Sequence, residues 1–267
     1  MDEDDQASSD GIHRLYPFLY GGRAAHRFHP DLARDGSGDL RGGPCSGHLN
    51  RSTEEKTGEI VRLRAQVAEM YADRLAECAE AMAARFVAGG RLFTFGNGGS
   101  STDAQEVATA FLRPQYGRPL PALSLTSDIA LVTALSNDVG FDVVFARQIS
   151  ALGRPGDIAF GLSTSGGSAN LVQAFEEAWG RGMLTVGLAG YQGGRLAELA
   201  ELDVLDHLFV IPSSSVHRIQ EAQTTLYHVL WEATQHVLGA EAAKGSSTQT
   251  RSGEAVWPRR PTQRTAG

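Results

Sequence analysis

Apolar positions along the chain follow two rhythms between about residues 54 and 238. Glu54–Val87 sets Ile60, Leu63, Val67, Met70, Tyr71, Leu75, Met82 and Phe86 at helical spacing, and Gly89–Gly90 ends the run. Ala72–Asp73 marks the point where this stretch would divide into two helices. Beyond it, short apolar runs alternate with longer amphipathic ones. The predicted strands are Leu92–Phe95, Ala122–Leu125, Ile158–Leu162, Leu184–Leu188 and Leu208–Ile211. The predicted helices that follow them span 102–112, 128–136, 168–181, 194–199 and 217–238. Strict alternation of this kind predicts an α/β fold, a parallel sheet covered by helices on both faces. Ligands of such sheets sit at the carboxyl ends of the strands.

The flanks lack either rhythm. Residues 1–50, with stretches such as RFHPDLARDGSGDLRGGPCSGH, are expected to be a flexible extension, although Leu15–Tyr20 is apolar enough to dock. Residues 241–267 are polar and contain Pro and Gly, so a disordered tail is expected, with Arg259, Arg260 and Arg264 solvated. That leaves 51–240 as the folded domain.

Charge and cysteine usage narrow the function classes. With 24 Lys and Arg against 31 Asp and Glu, the net charge is −7. No basic field exists to hold the chain on nucleic acid or anionic lipid, so neither is an expected partner. Cys45 and Cys78 lie far apart without a CxxC spacing, which points away from a disulfide framework and a zinc knuckle. The acidic start MDEDDQASSD has no apolar signal region and no 18-residue apolar run occurs, so no membrane span and a cytoplasmic location are expected.

Candidate chemistry gathers at two corners. In the first, the strand Leu92–Phe95 meets Gly96, Asn97, Gly98 and Gly99, then Ser100, Ser101, Thr102 and Asp103 as a helix begins. A helix start exposes unpaired N–H groups, glycines let a ligand approach the main chain, and hydroxyls add donors without bulk. The second corner, Leu162–Asn170 (LSTSGGSAN), brings Ser163, Thr164, Ser165 and Ser168 to another strand-to-helix junction, where Ser168 is also placed to cap the helix. A single corner of this type is often only a cap. Two in one alternating domain point to an anion site, and the absence of GxxxxGK[ST] and GxGxxG patterns points away from nucleotides.

The segments GNGGSSTDAQ, LTALSNDVGFDVVFARQ, PGDIAFGLSTSGGSANL, GGRLAELA and HRIQEAQTTLYHVLWE resemble the phosphoheptose isomerases, members of the sugar-isomerase (SIS) domain superfamily, across residues 55–240. The resemblance implies a three-layer αβα sandwich with a five-stranded parallel sheet, N-terminal helices added, and a homotetramer with active sites at subunit interfaces. It implies conversion of sedoheptulose 7-phosphate to a D-glycero-D-manno-heptose 7-phosphate by proton transfer between C1 and C2. Carried over by position, Asn97, Gly98, Gly99 and Ser100 line the substrate, and Asn137 and Asp138 reach sugar hydroxyls. Ser163, Thr164, Ser165 and Ser168 hold the phosphate, while Gln220 and His228 come from the last helix.

One departure bears on catalysis. The family's acid–base pair is a glutamate on the helix after the first loop and a histidine on the last helix. His228 keeps the second role, but Ala110 stands at the glutamate's position. One turn earlier, where the family has a histidine, this chain has Glu106, on the same helical face and about 6 Å along the axis. Glu106 and His228 are therefore the candidate catalytic pair. The family's zinc site implies Glu106, Gln220 and His228 as candidate ligands, although Gln220 and His228 lie eight residues apart on one helix. Arg113, followed by the helix-ending Pro114, is a further candidate positive charge near the substrate. Two readings stay open at this point: an isomerase of a phosphorylated ketose, and a non-catalytic SIS-domain protein that binds a sugar phosphate or a protein partner as a regulator. Turnover of sedoheptulose 7-phosphate separates them.

Overall fold

The computed structural model describes the backbone of residues 44–249 and the side chains of 47–240. The expectations for residues 1–43 and 250–267 lie outside the described residues. The chain divides into two units, 1–54 and 55–267. The described part of the first is helical and includes a Thr53 hydroxyl donating to the Leu49 carbonyl at 2.8 Å.

Helix α1 runs unbroken from Pro44 to Val87. Pro44 opens it with a preset φ, which moves the start ten residues before Glu54 and into the stretch expected to be flexible. No break occurs at Ala72–Asp73. Val67, Tyr71, Leu75, Cys78, Met82 and Phe86 form one buried stripe through that point, and no Gly or Pro interrupts it. Five strands follow with their helices: β1 (Leu92–Gly96), α2 (Gly99–Leu112), β2 (Ala122–Ser124), α3 (Ile129–Asp138), α4 (Val144–Leu152), β3 (Ile158–Leu162), α5 (Ala169–Gly180), β4 (Leu184–Gly190), α6 (Gly194–Glu201), β5 (His207–Ile211) and α7 (Val216–Gln249). Helix α4, preceded by a 3-10 turn at Phe141–Val143, was not anticipated; only nine residues long, it lies between Gly140 and Gly153. Helix α7 continues past residue 240 through Ala240–Lys244, a run of strong helix formers, so the expected disordered tail does not begin at 241.

The sheet is parallel throughout, in the order β2-β1-β3-β4-β5. Its two faces fill differently. Leu92, Ile158, Phe160, Leu162, Val186, Leu188 and Phe209 face α1, α2 and α7. Phe93, Phe95, Ala159 and Ala189 face the opposite layer, where Phe145, Ile149, Leu171, Phe175 and Leu196 pack. Alternation with period two therefore buries both faces, giving the expected three layers. The Thr94 hydroxyl, fully buried, donates to the Ala104 carbonyl at 2.6 Å and locks β1 to α2.

Strand order fixes where a ligand site can form. The chain leaves β1 toward β2 on one side and returns to β3 on the other, so the connections diverge between β1 and β3. A crevice opens at the carboxyl ends of such a strand pair. Gly96 of β1 pairs with Leu162 of β3, and the two glycine- and serine-rich corners begin immediately after these residues. The fold thus sets both corners side by side.

Candidate active site

The two corners are joined by side chains. Asn97 and Asn170 exchange amide hydrogen bonds, each Nδ2 donating to the other's Oδ1 at 2.9 Å. Asn170 lies in the first turn of α5 and is 2% exposed, so this pair couples loop and helix start below the surface. Asn97 is expected from the sequence to line the substrate; Asn170, within the second corner, carries no expected role. Asn170→Ala would leave a half-buried amide unmatched, at a cost of about 1–3 kcal/mol. The expected result is a melting temperature lowered by roughly 3–8 °C.

In the first corner, α2 begins at Gly99, three residues before the expected start. The N–H groups of Ser100 and Ser101 donate to Asn97 and Gly98 carbonyls at 3.0 Å, while the remaining first-turn N–H groups have no intrahelical partner. Gly99 permits a close approach by α7, because a Cβ there would collide with the amide of Gln220. Gln220 in turn donates to Asp103 at 3.4 Å. Burial raises the Asp103 carboxyl pKa above the ordinary carboxylate value; the Gln220 hydrogen bond opposes that shift, and the charge of Glu106 adds to it.

The second corner is shaped by its own hydroxyls. Ser163 Oγ accepts the Gly166 N–H at 3.0 Å and Ser165 Oγ accepts the Gly167 N–H at 3.2 Å. Ser163 is buried, Thr164 half-buried and Ser165 exposed. Ser168 precedes α5 in an extended conformation, and its side chain makes no capping hydrogen bond, contrary to the expected cap. Its carbonyl accepts the Leu171 and Val172 N–H groups instead. Beneath the corner, Gln223 donates to the Ser163 carbonyl at 3.1 Å; this fully buried glutamine was not among the expected residues.

Farther along α2, the candidate acid–base pair comes together within one chain. Helices α2 and α7 run side by side in the same direction, Gly99 against Gln220 and Glu106 against Tyr227 and His228. Glu106 Oε1 lies 3.3 Å from His228 Nε2, and Oε2 accepts the Tyr227 hydroxyl at 2.6 Å. Tyr227 was also not anticipated. Its phenol is pushed well above the ordinary range, by burial first and by the Glu106 hydrogen bond second, and so remains a donor. Both members of the pair reach solvent, with side-chain exposures of 51% for Glu106 and 41% for His228. They open onto a cavity of about 310 Å³ that Ala110, Arg113 and Trp231 also line. Ala110 therefore faces the same space as Glu106, as their spacing required, and Arg113 brings a positive charge to it.

Asn137 and Asp138 occupy the last turn of α3, where Asn137 donates to Asp138 at 2.8 Å and both are exposed. Among the described residues neither hydrogen-bonds to either corner. The donors of one chain do not fit zinc. Gln220 is engaged a turn away with Asp103, Ala110 offers a methyl group, and no group of three His, Cys, Asp or Glu is gathered among the described residues.

Residues 57–190 match the SIS domain family. The phosphoheptose isomerase of Aquifex aeolicus is 38% identical over 190 residues, covering 69% of this chain and 97% of that protein. That of Roseiflexus sp. is 41% identical over 185 residues, covering 68% of this chain and 90% of its own length. Among solved structures, the phosphoheptose isomerase of Neisseria gonorrhoeae superposes with a TM-score of 0.66 at 34% identity, over 70% of this chain and 99% of that one. The Francisella tularensis enzyme gives 0.66 at 30%, over 70% and 98%. Sequence and architecture agree: the chain belongs to the phosphoheptose isomerase family of SIS-domain proteins.

Proposed function

We propose that this isomerase converts sedoheptulose 7-phosphate to D-glycero-D-manno-heptose 7-phosphate, with Glu106 and His228 as its acid–base pair. The observation that carries the reading is their 3.3 Å contact at the mouth of a cavity, on the same two helices that border the first corner. Glu106 stands seven residues beyond Gly99, about 10 Å along α2. That separation suits a substrate whose phosphate rests at the corners and whose C1–C2 end lies against the pair.

The phosphate is held by Thr164, Ser165 and Ser168 hydroxyls and by N–H groups at the starts of α2 and α5, with Ser163 keeping the corner's shape. Asn97, Gly98, Gly99 and Ser100 form the adjoining wall, and Gln220 offers its amide to the sugar hydroxyls. Glu106 takes the C1 proton of the ketose while His228 gives a proton to O2, forming the enediol. Glu106 then returns a proton to C2 as His228 takes the O1 proton, leaving the C1 aldehyde. Protons and electrons balance without a further reactant, and no step is routed through a metal. Incubation with sedoheptulose 7-phosphate is the test: an aldoheptose 7-phosphate should appear, and binding without product would contradict the reading.

The same proposal places the protein in the cytoplasm and assembles it as a homotetramer. Supporting association, α1 and α7 leave two grooves of about 690 and 360 Å³, lined by Ala76, Val229 and Ala233 in both, with Val61 and Met70 exposed on α1. Light scattering should give four times the chain mass of 28.5 kDa; a monomer would overturn this part.

A further inference from the structure

We infer that Tyr227 is a positioning residue for catalysis, holding the Glu106 carboxylate in the orientation that proton transfer requires. This rests on Glu106 being the base. Tyr227 is 1% exposed, set in the core shared with α2, so its ring has little freedom. Its single hydroxyl proton has two acceptors in reach, Glu106 Oε2 at 2.6 Å and Thr224 Oγ1 at 3.4 Å. The shorter contact to a carboxylate takes it, because charge-assisted bonds of that length are about twice as strong as neutral ones.

The geometry gives each carboxylate oxygen a different task. Oε2 is tied to a rigid phenol; Oε1 faces His228 and the cavity. A glutamate on a half-exposed helix face otherwise samples several rotamers, and only some of them present an oxygen to the substrate. Anchoring one oxygen to the core fixes the plane of the other. The ring of Tyr227 also lies 4.8 Å from that of His228, centroid to centroid, so one residue touches both members of the pair. The helix geometry explains why this tie belongs to Glu106 in particular. Tyr227 meets α2 at the turn of Glu106, and the next residue on that face, Ala110, has no group to hold.

A purely structural account runs the other way, with Glu106 present to satisfy a buried phenol. A double-mutant cycle separates the two. Tyr227→Phe keeps the ring and removes the hydroxyl; kcat for sedoheptulose 7-phosphate should fall about tenfold while KM stays within about twofold. In the Glu106→Gln background the same change should cause no further loss of kcat. An equal loss in both backgrounds, or no loss in either, would overturn the positioning role. Wild-type kcat in Glu106→Gln alone would instead overturn the assignment on which it rests. Thermal unfolding of each variant establishes that the fold is kept; should Tyr227→Phe unfold, Tyr227→Leu carries the same expectations.

Discussion

Glu106→Gln is expected to reduce turnover of sedoheptulose 7-phosphate by roughly 10²–10⁴-fold, the range that removing a general base produces. The amide keeps the size of the carboxylate and can still accept the Tyr227 hydroxyl at its oxygen, so packing is preserved. What disappears is basicity. KM should therefore change little, since the proposed phosphate contacts lie at the corners and not at this side chain. The melting temperature should also hold, because the amide oxygen keeps the Tyr227 hydrogen bond and the rest of the side chain is half exposed. A variant with undiminished kcat would shift the role of base to Asp103, one turn closer to the first corner. His228→Asn tests the other half of the pair, and the two losses should not add, because the groups act on one proton-transfer sequence.

Gly166→Ala is expected to damage binding and stability together. Gly166 has φ +68°, in the left-handed region that costs a residue with a side chain roughly 1–2 kcal/mol. A Cβ there would also collide with the carbonyl of Gly193, part of the backbone and unable to swing aside. The Gly166 carbonyl accepts the Leu196 N–H at 3.0 Å, so displacing it pulls on α6 as well. Together these effects should lower the melting temperature by roughly 5–15 °C. Because the Gly166 N–H also anchors Ser163 Oγ, the second corner loses its shape and KM should rise by an order of magnitude or more. Measuring KM below the melting range of the variant separates the two consequences. An unchanged KM would remove the second corner from the substrate site.

Much of the fold was legible in the sequence because strands buried on both faces leave continuous apolar runs. Leu92–Phe95 and Ile158–Leu162 are of that type, and the structure places each within a residue of its expected ends. Helix α4 was missed for a physical reason. Its buried residues Val144, Phe145, Gln148 and Ile149 make only two turns of pattern, and one of the four is polar. Gln148 is buried because its amide donates to the Leu125 and Val144 carbonyls at 3.0 Å, a partnership no local pattern reveals. The unbroken course of α1 through Ala72–Asp73 was obscured in the same way, since those two residues face outward between Tyr71 and Leu75.

The site divides along similar lines. Glycines and hydroxyls at strand-to-helix corners announce themselves locally, so the position of both corners at the carboxyl ends of β1 and β3 could be read directly. The residues that hold those corners together could not, because they act across the chain. Asn97 and Asn170 are 73 positions apart, and Glu106 and Tyr227 are 121 apart. A tyrosine beside His228 in an apolar helix reads as core, which it also is. Only the packing of α2 against α7 shows that its hydroxyl ends on Glu106, the carboxylate that lies 3.3 Å from His228 at the cavity they both line. Ser168 shows the converse. Local pattern makes it a cap, yet its hydroxyl makes no capping bond.

The most direct test of the whole account is proton NMR of sedoheptulose 7-phosphate incubated with the protein in deuterium oxide. Transfer through an enediol on Glu106 and His228 predicts an aldoheptose 7-phosphate carrying deuterium at C2, in an amount set by exchange of the transferred proton with solvent. The Glu106→Gln variant should form product and exchange the C1 protons of the ketose roughly 10²–10⁴-fold more slowly. Substrate that binds to the unaltered protein yet shows no aldose and no exchange would contradict the account.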